Sequence, residues 1–392
     1  MQSTIKNFNP AMAYRRFGKS EAMLSVITLG GMRYLHGWDD PRHEVPADTI
    51  QQARDSVQRA MACGINHIET AHGYGKSEHC YGIVLNDELK LPRSSYYLMT
   101  KGAPESAQEV RSHVQEQLKA LKTDYLDFYG WHGINDRSRY EVACAPQGPV
   151  EALLRLKEEG IIRHVGFSTH GPLDVIMDSI KSGLFDFVNL HYYYFFQRNR
   201  PAIQEAAARD MGVFIISPND KGGRLYEAPQ TLRDLTAPQS PIQWNARFCL
   251  STPQVHTLSF GMNKAEHFEQ MATICQAGQS PWGEQEEQIL GALDGRRRLD
   301  RYSSIDPYQL PDTGSPINVA EMLRFRTMWK CYDMETWCEY RYNMFQEKGH
   351  WFAGAFATEE NLAAIDERLV PPGLPLKELL REFHQRFYKP KK

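Results

Sequence analysis

Eight short runs rich in β-branched and aromatic residues recur along the chain, and stretches of helical length separate them. Few folds accommodate that alternation. The runs are Val26–Leu29, His67–Thr70, Tyr97–Thr100, Tyr125–Tyr129, His164–Ser168, Phe187–Leu190, Val213–Ser217 and His256–Phe260. Between them lie Thr49–Ala62, Ala107–Leu121, Val150–Glu159, Ala202–Arg209, Ile242–Leu250 and Ala265–Ala277, with Gly64, Gly160 and Gly212 just where helix C-termini favour glycine. Strands joined by helices pair in parallel, because a parallel neighbour needs a long crossover.

Such a sheet can stay open or close on itself. An open dinucleotide-binding sheet carries G-x-G-x-x-G directly after its first strand. Here the turn reads Gly30-Gly31-Met32. A closed (β/α)8 TIM barrel is therefore the expected α/β fold, and 392 residues allow one such barrel with an extension. Pro281, the run Arg296-Arg297-Arg298, Pro307 and Pro311 interrupt the helical pattern over Gln279–Leu310. Residues 1–280 are accordingly expected to form the barrel. Residues 281–392 are read as a mainly helical extension, with Trp329, Trp337, Tyr340, Tyr342 and Trp351 set to cover the barrel mouth or buttress its helices.

A formal net charge of −3 offers no basic field for nucleic acid, so a small-molecule partner is expected. The start of the chain has no apolar secretory core, and nowhere do about 18 apolar residues run together, which predicts no membrane span and a cytoplasmic location. Seven scattered cysteines fit reduced thiols better than a disulfide framework. His67, His72 and His79 lack metal-ligand spacing, and no metal is expected. Oligomeric state is not legible.

In a barrel the reactive groups come from the C-terminal ends of the strands. The second strand leads into Glu69-Thr70-Ala71-His72-Gly73-Tyr74, the third into Lys101 and the fourth into His132. Any one of these residues alone is more often structural; a carboxylate, a phenol, an ammonium and an imidazole at three successive strand ends point to chemistry. Carbonyl reduction needs a proton donor at the oxygen. Tyr74 can serve, with Lys101 making its phenolate accessible, Glu69 holding Lys101, and His132 orienting the carbonyl.

These residues stand in longer motifs. Gly64-Ile65-Asn66-His67-Ile68-Glu69-Thr70-Ala71 with Tyr74-Gly75 and Ser77-Glu78, the run Leu118–Asp127 leading into His132, and Gly160–Ser168 together resemble the aldo/keto reductase family over roughly residues 12 to 275. Trp131-His132-Gly133-Ile134-Asn135 and Gly166-Phe167-Ser168-Thr169-His170-Gly171 are similar to a bacterial branch that often carries a C-terminal iron–sulfur module. The matching segment here offers only Cys331 and Cys338, so a degenerate extension without a cluster is expected.

The resemblance implies a nicotinamide cofactor, NADP or else NAD. It places Ser168, Thr169 and Asn189 at the carboxamide, all able to hydrogen-bond an amide. It puts Ile216, which can only pack, where a stacking Tyr is frequent. Ser217, Pro218, Asn219, Lys221, Gly223 and Leu225 fall in the loop that crosses the pyrophosphate, and Gly261, Asn263, Lys264 and His267 at the adenosine phosphate. One departure stands out: Glu69 replaces the family's usual Asp. The added methylene predicts either a displaced backbone or an altered ion pair with Lys101. The expected activity is hydride transfer between nicotinamide and a carbonyl or alcohol. The alternatives are a redox-neutral epimerase or lyase with tightly held cofactor, and a non-catalytic cofactor-sensing barrel.

Overall fold

The computed structural model describes residues 5–35, 37, 40–272, 274, 276, 278–344 and 354–390. It opens with a hairpin that the sequence pattern did not reveal, in which β1 (Tyr14–Arg16) pairs antiparallel with β2 (Met23–Ser25). The connecting turn sends Phe17 inward. Phe17 meets Phe128 edge-on at 5.3 Å and lies 5.7 Å from Phe187 and from His256, closing the N-terminal base of the barrel. Gly212 makes room for it: a Cβ there would fall 2.6 Å from the Phe17 ring.

All eight expected strands form: β3 (Ile27–Gly30), β4 (His67–Glu69), β5 (Tyr97–Gly102), β6 (Leu126–His132), β7 (Ile162–Ser168), β8 (Phe187–Leu190), β9 (Gly212–Ile215) and β10 (Thr257–Phe260). They are parallel and close into a barrel in sequence order, β10 pairing with both β3 and β9. The interior carries Met99, Phe128, Phe187, Phe214 and Ile216, all buried. Gly166 lets Phe187 approach, since a Cβ there would come within 2.5 Å of its ring. The expected TIM barrel is the observed fold.

The helices between the strands are α1 (Ala47–Ala62), α2 (Ser77–Gly82), α3 (Ala107–Leu121), α4 (Arg137–Ala143), α5 (Pro149–Glu158), α6 (Leu173–Lys181), α7 (Arg200–Ala208), α8 (Gln230–Thr236) and α9 (Pro241–Ser251). After β10, α10 spans Ala265–Ala272, shorter than the expected Ala265–Ala277, whose residues 273, 275 and 277 lie outside the described residues.

The chain divides into two compact units, one of residues 1–218 and 245–282 and the other of residues 219–244 and 283–392. The second unit corrects the reading of Gln279–Leu310 as interrupted. A helix, α11 (Glu284–Arg298), runs there, begun by Glu284, Glu286 and Glu287 and ended by Arg296, Arg297 and Arg298. Its acids lie at the positive end of the helix dipole and its arginines at the negative end, which supports a helix despite a weak apolar face. There follow α12 (Val319–Tyr332), α13 (Glu335–Asn343), α14 (Glu359–Ala363) and α15 (Leu376–Phe387). Phe325 packs on Trp337 and Phe383 on Tyr342, with ring centres 4.9 and 5.0 Å apart. Trp351 lies outside the described residues.

Candidate active site

Three neighbouring strands bring the expected quartet to one rim of the barrel. Glu69 ends β4, Lys101 lies near the end of β5, His132 ends β6, and Tyr74 sits in the loop between β4 and α2. Glu69 and Lys101 are 2% and 1% exposed, so the pair is shielded from water. The Lys101 ammonium donates directly to Glu69 Oε1 and, at 2.8 Å, to the Thr70 carbonyl. Half-buried Tyr74 turns its hydroxyl toward the same carboxylate, a long contact of 3.5 Å. Its ring stands perpendicular to that of His132, with centres 5.9 Å apart.

The longer acid at position 69 is paired with Lys101. Lys101 reaches Glu69 directly, and the acid's second oxygen, Oε2, accepts a hydrogen bond from Ser259 Oγ on β10 at 3.1 Å. The longer side chain is thus taken up by a second anchor. Burial pushes the Tyr74 phenol up to about 12, against a smaller pull downward from Arg33. Burial also pushes the Lys101 ammonium well down. At Tyr74 desolvation thus outweighs the pull of Arg33.

A second polar layer lies behind the quartet. Fully buried Glu78 accepts from Thr100 Oγ1 and Gln117 Nε2, each at 2.6 Å, and from Arg42 at 2.9 Å. Arg42 also bonds the His72 ring and the Gly75 carbonyl, and Lys76 donates to the Pro41 carbonyl at 2.8 Å. These contacts fasten the segment after β3 to the loop carrying Tyr74. Sequence reasoning missed Arg42 and Gln117, whose roles arise only when distant segments meet. His67 lies deeper, its Nδ1 2.8 Å from Thr28 Oγ1, and burial pushes its pKa down to about 3.

The residues expected near the carboxamide end β7 and β8 in register, Ser168 beside Asn189. Ser168 Oγ accepts from the Gly133 N–H at 3.1 Å. Thr169 Oγ1 donates to the Ile134 carbonyl at 2.6 Å and accepts from the Gly171 N–H, so its proton is committed. Asn189 is fully buried, with its amide nitrogen 3.9 Å from the Met99 sulfur and its Oδ1 without a hydrogen-bond partner. A buried amide oxygen left unpaired is costly, and a carboxamide N–H would satisfy it. The donor and acceptor set at this rim fits a nicotinamide. Ile216 packs in the barrel interior, and its carbonyl accepts from the buried Tyr193 hydroxyl. The aromatic run from His191 to Phe196 is buried throughout.

Ser217 adopts a left-handed φ of 50°, and the Pro218 carbonyl accepts from Asn245 Nδ2 at 3.2 Å. Asn219, Lys221, Gly223 and Leu225 belong to the second unit. There the Leu225 N–H donates to the Asn219 carbonyl at 3.1 Å, and Gly223, with φ 130°, leaves room for Met334. At the end of β10, a Cβ on Gly261 would come within 2.5 Å of the Arg33 side chain, and Asn263 Nδ2 donates to the Arg33 carbonyl at 2.9 Å. Exposed Lys264 precedes α10, and the half-buried His267 N–H donates to its carbonyl at 3.2 Å. Cys331 and Cys338 are buried on α12 and α13, and Cys275 lies outside the described residues. Among the described residues, no cluster of three or more His, Cys, Asp or Glu could hold a metal, and no helix is long and apolar enough to cross a membrane.

Comparisons with known proteins agree with the barrel fold. The chain is 29% identical over 201 residues to an L-galactose dehydrogenase of Arabidopsis thaliana, a match covering 48% of this chain and 58% of the relative. It is 29% identical over 163 residues to a D-arabinose 1-dehydrogenase of Saccharomyces cerevisiae, covering 40% of this chain and 45% of the relative. The match thus spans about half the length of these two relatives. The fold is shared with an aldo-keto reductase of Bacillus halodurans in its holo form, at a TM-score of 0.58 and 21% identity, over 72% of this chain and 96% of the other. The sequence model of the aldo/keto reductase family matches residues 26–281, and with eight strands closed in order over that span, the chain belongs to the aldo/keto reductase family.

Proposed function

We propose that the protein is an NADP-dependent oxidoreductase that interconverts a small hydroxylated carbonyl compound and its alcohol, with Tyr74 giving and taking the proton. The observation that carries this reading is the meeting of Tyr74, Lys101, Glu69 and His132 at one strand rim, with the ion pair directly made. Tyr74 keeps its proton until a substrate oxygen gains charge, and His132 beside it can hydrogen-bond that oxygen and fix its direction. Lys101 stabilises negative charge on the phenol oxygen, and Glu69 holds the ammonium in place. A nicotinamide, when bound, supplies the hydride. Ser168, Thr169 and Asn189 would hold its carboxamide, and Gly261, Asn263, Lys264 and His267 would meet the adenosine end, where the neighbouring cationic groups favour NADP over NAD.

A hydroxylated substrate is supported by the names of two relatives, which act on L-galactose and D-arabinose. The test is a fluorescence titration with NADPH and NADH, followed by turnover on aldoses, ketoses and simple aldehydes, read by nicotinamide absorbance in both directions. Tighter binding of NADPH and turnover lost in Tyr74→Phe are expected. Binding of neither dinucleotide would end this reading.

A further inference from the structure

The lining of the barrel repeats itself on two levels across β10, β3 and β4. On the lower level, three neighbouring side chains form a chain: Thr28 on β3 lies 2.8 Å from His67 Nδ1 on β4 and 2.7 Å from Thr257 Oγ1 on β10. Two residues further along each strand, side chains point the same way again. The upper level therefore comprises Gly30, Glu69 and Ser259. Here the middle strand contributes no side chain, and the flanking residues reach each other across it, Ser259 Oγ donating to Glu69 Oε2 at 3.1 Å. A Cβ on Gly30 would fall 2.7 Å from Ser259 Oγ and 3.3 Å from Glu69 Oε2, filling the space they use.

We propose that Ser259 is a positioning residue for Tyr74, holding the outer oxygen of Glu69 over Gly30 so that the longer acid pairs with Lys101 without capturing the phenol proton. This inference rests on Tyr74 being the proton donor. The carboxylate has two oxygens and three suitors. Lys101 takes Oε1, Ser259 takes Oε2, and the Tyr74 hydroxyl is left with a 3.5 Å contact to Oε1. A shorter acid at position 69 would not reach Ser259. The longer one, without Ser259, would be free to turn about its terminal torsion and accept from Tyr74 at ordinary length. A phenol that donates to a carboxylate is held in its neutral form, and its proton is withheld from the substrate. Gly30, Glu69 and Ser259 thus work as one unit, and the added methylene at position 69 goes with the missing side chain at 30 and the hydroxyl at 259.

The test uses the full chain carrying Ser259→Ala, Ser259→Thr and Glu69→Asp, and the double variant Ser259→Ala with Glu69→Asp. Crystals of Ser259→Ala should show the Glu69 carboxylate turned to within about 3 Å of the Tyr74 hydroxyl. In alcohol oxidation, where the phenolate accepts the proton, Ser259→Ala should lower kcat roughly five- to tenfold and move the rising limb of the pH profile upward by about half to one unit, with cofactor KM unchanged. Threonine should restore both to within about twofold. In the Glu69→Asp background, Ser259→Ala should change neither. An unmoved carboxylate in the Ser259→Ala crystals overturns the proposal. So does an equal loss of kcat in both backgrounds, or a loss without any shift of the pH limb, since each marks a residue that only packs. Near wild-type turnover in Tyr74→Phe would instead defeat the tyrosine reading, while the crystal result still decides whether Ser259 holds Glu69.

Discussion

The Lys101 ammonium lies over the face of the Tyr74 ring, 4.8 Å from its centre, while its hydrogen bonds go to Glu69 and the Thr70 carbonyl. A cation in that place stabilises charge as it develops on the phenol without consuming the hydroxyl. The hydroxyl stays available to a substrate.

Tyr74→Phe removes the proposed proton donor and keeps the ring. Turnover should fall by roughly 10²–10⁴, the usual contribution of general acid catalysis. NADPH affinity, measured by fluorescence, should stay within about twofold, because an interaction made only in the transition state has been lost.

Lys101→Met takes the cation from over the ring and leaves Glu69 buried beside a methyl group. Catalysis should fall by about as much as in Tyr74→Phe, and denaturant unfolding should show a loss of about 3 kcal/mol, as expected when one partner of a buried ion pair is removed. A variant that lost turnover with full stability would show that the ion pair adds nothing to stability.

Asn189→Ala tests the unpartnered Oδ1 at the end of β8. Loss of the proposed hydrogen bond to the carboxamide should weaken cofactor binding about tenfold, close to the 1.4 kcal/mol expected of one hydrogen bond. Stability without cofactor should hardly change. An unchanged dissociation constant would move the carboxamide away from this residue.

Asp186 gives the pH dependence a definite sign. It accepts from Lys157 Nζ at 2.5 Å and from the Val165 N–H at 3.1 Å. Burial works to raise its pKa, yet bonds from His164, Lys157 and Val165 bring it down to about 2. A carboxylate depressed on folding stabilises above its unfolded value, near 4, and that contribution disappears as pH falls through about 2. Asp186→Asn should therefore cost about 2 kcal/mol at pH 7, with most of that cost gone by pH 2, measured by urea unfolding across that window.

Gly212→Ala would press a methyl group into the ring of Phe17. Overpacking of this kind costs about 1–3 kcal/mol, and Phe17→Leu in the same chain should recover part of it. Additive losses in the double variant would mean that the two residues do not meet.

The barrel was legible because eight buried runs and their helices repeat with a clear period, each long enough to register. The hairpin Tyr14–Arg16 and Met23–Ser25 was not, since two three-residue strands leave too little alternation to see. Helix α11 was hidden by flanking prolines and a weak apolar face; charge at its two ends, rather than periodicity, marks it. For the candidate site, motif and strand-end position picked out Glu69, Tyr74, Lys101 and His132, which lie together at neighbouring strand ends. Ser259 belongs to no motif, and Arg42 and Gln117 come from a loop and a helix remote in sequence. Their parts depend on register and side-chain reach, which a one-dimensional pattern does not contain.

Phe17, wedged between the strand beginnings, plugs the lower end of a barrel already filled with side chains. The Thr28, His67 and Thr257 level lies nearer to that plug than the level of Glu69 and Ser259, and side chains fill the space between. Clipping away the hairpin would take the plug out. The rings of Phe128 and Phe187, which now rest on Phe17, would then face solvent at the end of the barrel opposite Glu69.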